Sequence, residues 1–309
     1  MGDIVTMDDL TNQDIVDVLD DAERLVPVAR GDVYLPLLKG KVLANMFFEN
    51  STRTRMSFET AMKRLGGSVL NFTSIGTSVA KGETLYDTMQ MVDGYADVAV
   101  IRHPRQGAAQ YSADAVGIPI LNAGDGAGNH PTQTMLDLFT IRQVHGTLEG
   151  LNVALVGDLR YGRTVHSLSH ALVRFGAELT LVSPSTLKMP VEIVSDLKEH
   201  GAKITETDSL EEQIANADVI YVTRIQKERV PDEDEYVKVA GIYKIEASDL
   251  SGAKKGMIVM HPLPRVDEIS PDVDSTEFAR YFEQAFNGVP TRRALLCRSL
   301  GIDVPEKVK

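Results

Sequence analysis

The stretch Phe47-Phe48-Glu49-Asn50-Ser51-Thr52-Arg53-Thr54-Arg55 decides the reading of this chain. An apolar, strand-like run from Lys41 to Phe48 stops abruptly, and three hydroxyl residues and two arginines follow, the two threonines interleaved with the arginines. A helical pattern then opens, with Phe58, Ala61, Met62 and Leu65 on one face and Gly66 as its stop. Backbone N–H groups at a helix start lack intrahelical partners, and with the helix dipole they form a site for a phosphate-sized anion. Thr52 and Thr54 add hydroxyl donors; Arg53 and Arg55 add planar forks that grip phosphate bidentately. Taken alone, the same residues also read as a capped helix with two solvated arginines, because Ser and Thr are common caps.

Working outward, strand-like runs alternate with helical patterns along the whole chain. Thr11 is placed to cap a first amphipathic helix that buries Ile15, Val18, Leu19, Ala22 and Leu25. Strands are predicted near 41–48, 68–73, 97–102 and 118–122, with helices near 52–65, 84–94 and 107–116 between them. A long helix opens at Pro131, carries Met135, Leu138 and Phe139 on one face and ends near Gly146. A second series begins at Leu151 to Gly157, with further strands near 178–183, 202–206, 218–223 and 256–260 and a last helix over 275–300. Such alternation means parallel sheets covered by helices. The expectation is α/β: two doubly wound parallel-sheet domains with helices on both faces and the active site in the cleft between them. Residues 1–146 form the first domain, rejoined by the C-terminal helix at about 285–309, and 147–284 the second.

Ligands of open parallel sheets bind beyond the carboxyl ends of strands, and the chemistry-bearing residues fall there. Arg53 and Arg55 follow the first predicted strand, and Arg102 and His103 end the third. His130 follows the fourth after the glycine-rich loop Asn122 to Asn129. Arg163 follows Gly157, Arg224 ends the Val219 to Thr223 run, and His261 to Arg265 follow Met257 to Met260. Solvated surface charge would be scattered, not placed after strand upon strand.

Composition bounds the function. The chain has 309 residues, room for about two domains. Its formal net charge of −12 argues against nucleic acid, whose phosphates need a basic face, but not against a small anion held by a few converging arginines. The lone Cys297 permits no disulfide within the chain. Apolar runs fall far short of a bilayer span, and the acidic N-terminus lacks a signal-peptide pattern, so the expected location is the cytoplasm.

Individual motifs are weaker. Gly157-Asp158-Leu159-Arg160-Tyr161-Gly162-Arg163-Thr164 resembles a phosphate-binding loop, but Arg163 replaces the lysine and no glycine slims the middle, so an arginine presented to a carboxylate fits better. His166 and His170 have zinc-pair spacing without a third ligand and read as structural. His130 stands at a helix mouth with Gln133 nearby, placed either to cap the helix or to donate to a carbonyl oxygen. Thr73 to Glu83 reads as a loop carrying Lys81, and Gln226 to Tyr236 as a loop long enough for a lid. No nucleophile elbow, metal cluster or dinucleotide fingerprint occurs, so neither metal nor cofactor is expected.

Ser51 to Arg55, the Arg102 strand end and His130-Pro131-Thr132-Gln133-Thr134 resemble the carbamoyltransferase family. Gly157 to Ser167, Thr223 to Arg229 and His261 to Glu268 are similar to the catalytic chains of its aspartate-specific members. An ornithine-specific member would be expected to show cysteine where Pro262 stands, and a Ser-Met-Gly loop that is absent here. The resemblance implies transfer of a carbamoyl group from carbamoyl phosphate to the amino group of L-aspartate, giving N-carbamoyl-L-aspartate and phosphate in de novo pyrimidine biosynthesis. It implies that Ser51, Thr52, Arg53, Thr54 and Arg102 hold the phosphate, and that His130 and Thr54 polarise the carbonyl. Gln133, Pro262 and Leu263 would grip the amide, and Arg163, Arg224 and Gln226 the aspartate carboxylates. Ser78 and Lys81 would reach a neighbouring subunit's site in a homotrimer, and Lys81 would serve both aspartate and catalysis. Arg292 matches a family arginine that joins the domains. A regulatory chain in a larger assembly is a further partner the resemblance allows; membrane and nucleic acid are not.

Overall fold

In the computed structural model, which describes residues 1–73, 81–126, 128–225 and 241–308, Thr11 opens helix α1 (Asn12–Arg24) through a reciprocal cap. The Asp14 N–H donates to Thr11 Oγ1 (3.1 Å) and the Thr11 N–H to Asp14 Oδ2 (2.9 Å). Ile15, Val18, Leu19 and Ala22 are buried along it, as their spacing predicts, and Leu25 at its end is buried too. A short helix, α2 (Val26–Arg30), follows; it carries too few turns to show a period in sequence.

The chain divides into two units, Met1–Phe139 with Phe286–Lys309, and Thr140–Ala285. The first is built on β1 (Val42–Phe47), α3 (Thr52–Arg64), β2 (Ser68–Thr73), α4 (Leu85–Asp93), β3 (Val98–His103), α5 (Ala108–Ala115) and β4 (Ile120–Asp125). Its strands are all parallel in the order β2-β1-β3-β4. The direction of progression reverses between β1 and β3, the place where an open sheet leaves a crevice at its carboxyl edge. α3 buries Phe58, Ala61 and Met62; the two large side chains, Phe58 and Met62, are each worth roughly 1.5–3 kcal/mol when fully buried. Gly66 ends the turn after α3 at φ 82°, and a side chain there would meet Pro36 at 2.8 Å. Strand β4 runs beyond the predicted end at 122. Asn122 Oδ1 takes the Gly124 N–H (2.8 Å), and Asp125 takes the N–H groups of Gly107 and Asn129 (2.8 and 2.9 Å), so residues that read as loop are held extended.

Helix α6 (Pro131–His145) departs from the one-faced pattern expected: residues 131–141 are all buried. Thr132, Gln133, Thr134, Asp137 and Thr140 read as a polar face but lie inside.

The second unit contains β5 (Asn152–Val156), α7 (Arg163–Val173), β6 (Glu178–Val182), α8 (Val191–Glu199), β7 (Ile204–Thr207), α9 (Leu210–Asn216), β8 (Val219–Val222) and β9 (Ile258–Met260). These strands are parallel in the order β7-β6-β5-β8-β9, reversing between β5 and β8. Ala154, Val156, Ile220, Val222 and Val259 form its core. The last helix, α10 (Tyr281–Ser299), starts later than position 275. Phe278 O accepts from the Val259 N–H (2.8 Å) and the Arg280 N–H donates to Val259 O (3.0 Å), so the chain pairs with β9 before it can coil.

Candidate active site

In the first unit the predicted residues lie at carboxyl ends of strands on either side of the β1/β3 reversal. Ser51 is the N-cap of α3 with an extended backbone (φ −157°, ψ 101°), yet its hydroxyl makes no capping bond, and no acidic side chain occupies the first turn. The mouth of α3 is thus an unscreened positive helix end carrying Ser51, Thr52 and Arg53, with Thr54 buried behind. Arg53 is exposed, although partial burial lowers its guanidinium below the usual arginine range. Buried Asn45 of β1 anchors the helix by donating to Arg55 O (3.2 Å) and to Asn71 Oδ1 of β2 (3.1 Å).

Arg102, at the end of β3, donates to Ala123 O of β4 (3.1 Å) and lies 3.5 Å from Glu49 Oε2, while its carbonyl takes the Phe48 N–H (2.8 Å). His130 is buried at the mouth of α6; its carbonyl caps the helix by accepting from the N–H groups of Gln133 and Thr134 (2.9 and 3.2 Å). Its imidazole Nδ1 lies 3.5 Å from Thr132 Oγ1.

A buried polar chain ties these elements together. Gln133 Nε2 donates to Asp137 Oδ1 (2.9 Å). Arg292 of α10 donates to Ser57 Oγ, which donates to Thr54 O (2.9 Å). Burial pushes Arg292 down to about 9, Asp137 supports its charge and Arg102 opposes it. Its guanidinium also sits 5.0 Å from the Phe58 ring centre. Within this unit, then, Arg292 braces the α3 mouth, and Asp137 is the charge it shares with Gln133. Their sequence signals are a carboxylate four residues from Gln133 and a serine on the buried stripe of α3.

In the second unit Arg163 opens α7 after β5, and Arg224 follows β8, on either side of the second reversal. The loop between β5 and α7 forms no phosphate cradle. Gly157 (φ 109°) packs so close to β8 that a side chain would lie 2.4 Å from Thr223 O, and Asp158 Oδ1 takes the Tyr161 N–H (2.9 Å). His166 and His170 turn to different partners: His166 Nε2 to Leu159 O (2.8 Å), His170 Nδ1 to Asp196 Oδ2 (3.3 Å). Pro262 and Leu263 follow β9, and Arg265 nearby is engaged with Asp274 (Nη2 to Oδ2, 2.6 Å). Lys81 is exposed. Ser78, Gln226 and the expected lid to Tyr236 lie outside the described residues.

Two family models match in tandem. The carbamoyl-phosphate-binding domain of aspartate/ornithine carbamoyltransferase matches residues 2–143, and its Asp/Orn-binding domain matches residues 149–298. The aspartate carbamoyltransferase catalytic subunit of Archaeoglobus fulgidus is 56% identical over 297 residues, covering 96% of this chain and 98% of its own. That of Thermococcus kodakarensis is 54% identical over 301 residues, covering 97% of each. The solved catalytic subunit of M. jannaschii aspartate transcarbamoylase superposes with a TM-score of 0.91 at 50% identity, covering 97% of this chain and 98% of its own. The Trypanosoma cruzi enzyme, solved with carbamoyl phosphate and aspartate, also gives 0.91, at 42% identity with 96% and 95% covered. Two tandem domain matches and relatives identical at more than half of all positions place this chain in the aspartate/ornithine carbamoyltransferase family, among its aspartate carbamoyltransferase catalytic subunits.

Proposed function

We propose that the chain transfers the carbamoyl group of carbamoyl phosphate to the amino group of L-aspartate, in de novo pyrimidine biosynthesis, with the residues named above in specific roles. The observation that carries the assignment is the doubled placement of donors at strand-order reversals: Ser51 to Thr54 and Arg102 flank one, Arg163 and Arg224 the other. The first set suits a phosphate and a polarised carbonyl, with His130 and Gln133 beside it; the second suits two carboxylates.

The α-amino group attacks the carbamoyl carbon, the bond to the phosphate oxygen breaks, and phosphate leaves. Charge builds first on the carbonyl oxygen, where His130, Thr54 and Arg102 donate, and then on phosphate, where the α3 mouth and Arg53 receive it. Loss of one such donor costs about 3 kcal/mol of transition-state stabilisation. Holding both substrates together contributes up to about 7–11 kcal/mol. The departing phosphate accepts the amine proton.

Lys81 and Ser78 serve an adjacent copy's site in a homotrimer, and a regulatory chain is a further partner. Exposed Met56 of α3 and Leu70 of β2 support burial against another copy. Among the described residues, no helix is long and apolar enough to cross a membrane; the cytoplasm is the proposed compartment. The test is His130→Ala: kcat falls by about a hundredfold or more with the fold intact by circular dichroism. Turnover within tenfold of the parent would refute the role. Mixing inactive Arg53→Ala and Lys81→Ala chains restores activity if sites are shared between copies, and none if each copy is self-sufficient.

A further inference from the structure

Among the described residues, Leu263 is the non-glycine residue with a left-handed backbone, φ 56°. A branched side chain does not settle there without help, and such outliers persist where surroundings over-determine them. Two hydrogen-bonded groups supply the help. The Leu263 N–H donates to His261 Nδ1 at 2.7 Å, an i to i+2 closure of the kind made by Asn and Asp side chains in turns. His261 is 1% exposed, and its backbone N–H donates to Gln284 Oε1 of α10 at 2.8 Å. Because the Leu263 nitrogen is a donor, Nδ1 must be the acceptor, so the ring proton sits on Nε2. That proton points at Glu268 Oε1, 2.6 Å away. The other carboxylate oxygen of Glu268 takes the N–H groups of Val266 and Asp267, both at 3.1 Å. Burial alone would raise the Glu268 carboxyl, but these hydrogen bonds hold it down to about 2. Both ring nitrogens of His261 are spent, so it has neither a free lone pair nor a free proton for substrate.

We propose that His261 is a positioning residue for carbamoyl transfer: oriented by Glu268, it locks Leu263 in the left-handed conformation and thereby aims the Pro262 and Leu263 carbonyls at the carbamoyl amide. The proposal rests on the reading that those two carbonyls grip the amide, and the experiment separates the two claims.

The variants are His261→Gln, His261→Asn, His261→Ala and the double variant His261→Ala/Leu263→Gly. Each is measured for kcat, for affinity toward carbamoyl phosphate and toward inorganic phosphate, and for the Leu263 backbone amide resonance. His261→Gln keeps a donor toward Glu268 but loses the turn acceptor. It is expected to shift the Leu263 resonance and to lower kcat and carbamoyl phosphate affinity about tenfold to a hundredfold, while phosphate affinity stays within about twofold. His261→Asn restores an acceptor at the i to i+2 position and retains most of the parent's activity. The double variant recovers part of what His261→Ala loses, because glycine takes positive φ unaided. An unmoved Leu263 resonance in His261→Gln overturns the positioning claim. A shifted resonance with unchanged kinetics overturns the reading of the two carbonyls instead. Equal losses toward carbamoyl phosphate and phosphate, without rescue by Leu263→Gly, reduce His261 to a packing role and also overturn the proposal.

Discussion

Replacing Arg292 with methionine removes a guanidinium that is 3% exposed and is held by three groups: the Ser57 hydroxyl, the Phe58 ring and the charge of Asp137. Methionine fills most of the volume, so the cavity term is small and the electrostatic term dominates. Asp137, 0% exposed, accepts from the Gln133 amide and is a buried carboxylate that loses the cation beside it. Stranding a buried charge by removing an opposite charge near it costs up to about 3–5 kcal/mol. The lost ring contact adds about 0.5–2 kcal/mol, partly offset by the thioether's own packing. Arg292→Met is therefore expected to lose about 3–5 kcal/mol in urea unfolding at fixed chain concentration, since assembly contributes to apparent stability. Asp137→Asn is expected to lose a similar amount by stranding the arginine. The double variant loses less than the sum, because the electrostatic coupling between the two charges is counted in both single losses. Kinetically, Arg292→Met loosens the Thr54 end of α3 and lowers kcat/KM for carbamoyl phosphate. If each single variant costs under about 1 kcal/mol, or if the two costs add, the buried brace does not exist as described.

Three other outcomes follow from the geometry. Arg224→Ala is expected to raise KM for aspartate by about tenfold to a hundredfold with carbamoyl phosphate affinity unchanged, measured by steady-state kinetics and equilibrium binding, since a charged hydrogen bond is worth about 1.5–3 kcal/mol. Glu268 has a folded value of about 2 against an ordinary 4.5, so its contribution is present above pH 4.5 and lost as pH falls through about 2. It amounts to about 3 kcal/mol, and Glu268→Gln, unfolded by urea across that window, should show a correspondingly flatter acid decline. Gly157→Ala places a methyl 2.4 Å from Thr223 O at φ 109° and should destabilise the second unit by at least about 2 kcal/mol, read as a lowered Tm.

The parallel sheets were legible because their strands are apolar runs ended by abrupt polar turns, as at Phe47 to Arg55 and Val219 to Arg224. The cap at Thr11 was legible because its partner Asp14 is local. Helix α6 was misread as one-faced because its threonines, Gln133 and Asp137 look solvent-facing, and only tertiary partners reveal them as interior groups. Strand β4 reads shorter in sequence because Ala123-Gly124-Asp125 has loop composition; the Asn122 and Asn129 bonds that hold it extended are local side-chain bonds with no periodic signature, and the Gly107 bond comes from another loop. The α3 mouth, Arg102 and His130 stood out from residue type and placement after strands. Ser57, Asp137 and Glu268 did not, since a lone serine or carboxylate on a helix or loop reads as surface until its buried partner is known.

The most direct measurement is carbamoyl transfer from carbamoyl phosphate with L-aspartate and L-ornithine as parallel acceptors and no metal added. The account predicts N-carbamoyl-L-aspartate and phosphate with aspartate and no product with ornithine. Product with ornithine, or none with either acceptor, would contradict the assignment of Arg163 and Arg224 to a second carboxylate and with it the proposed reaction.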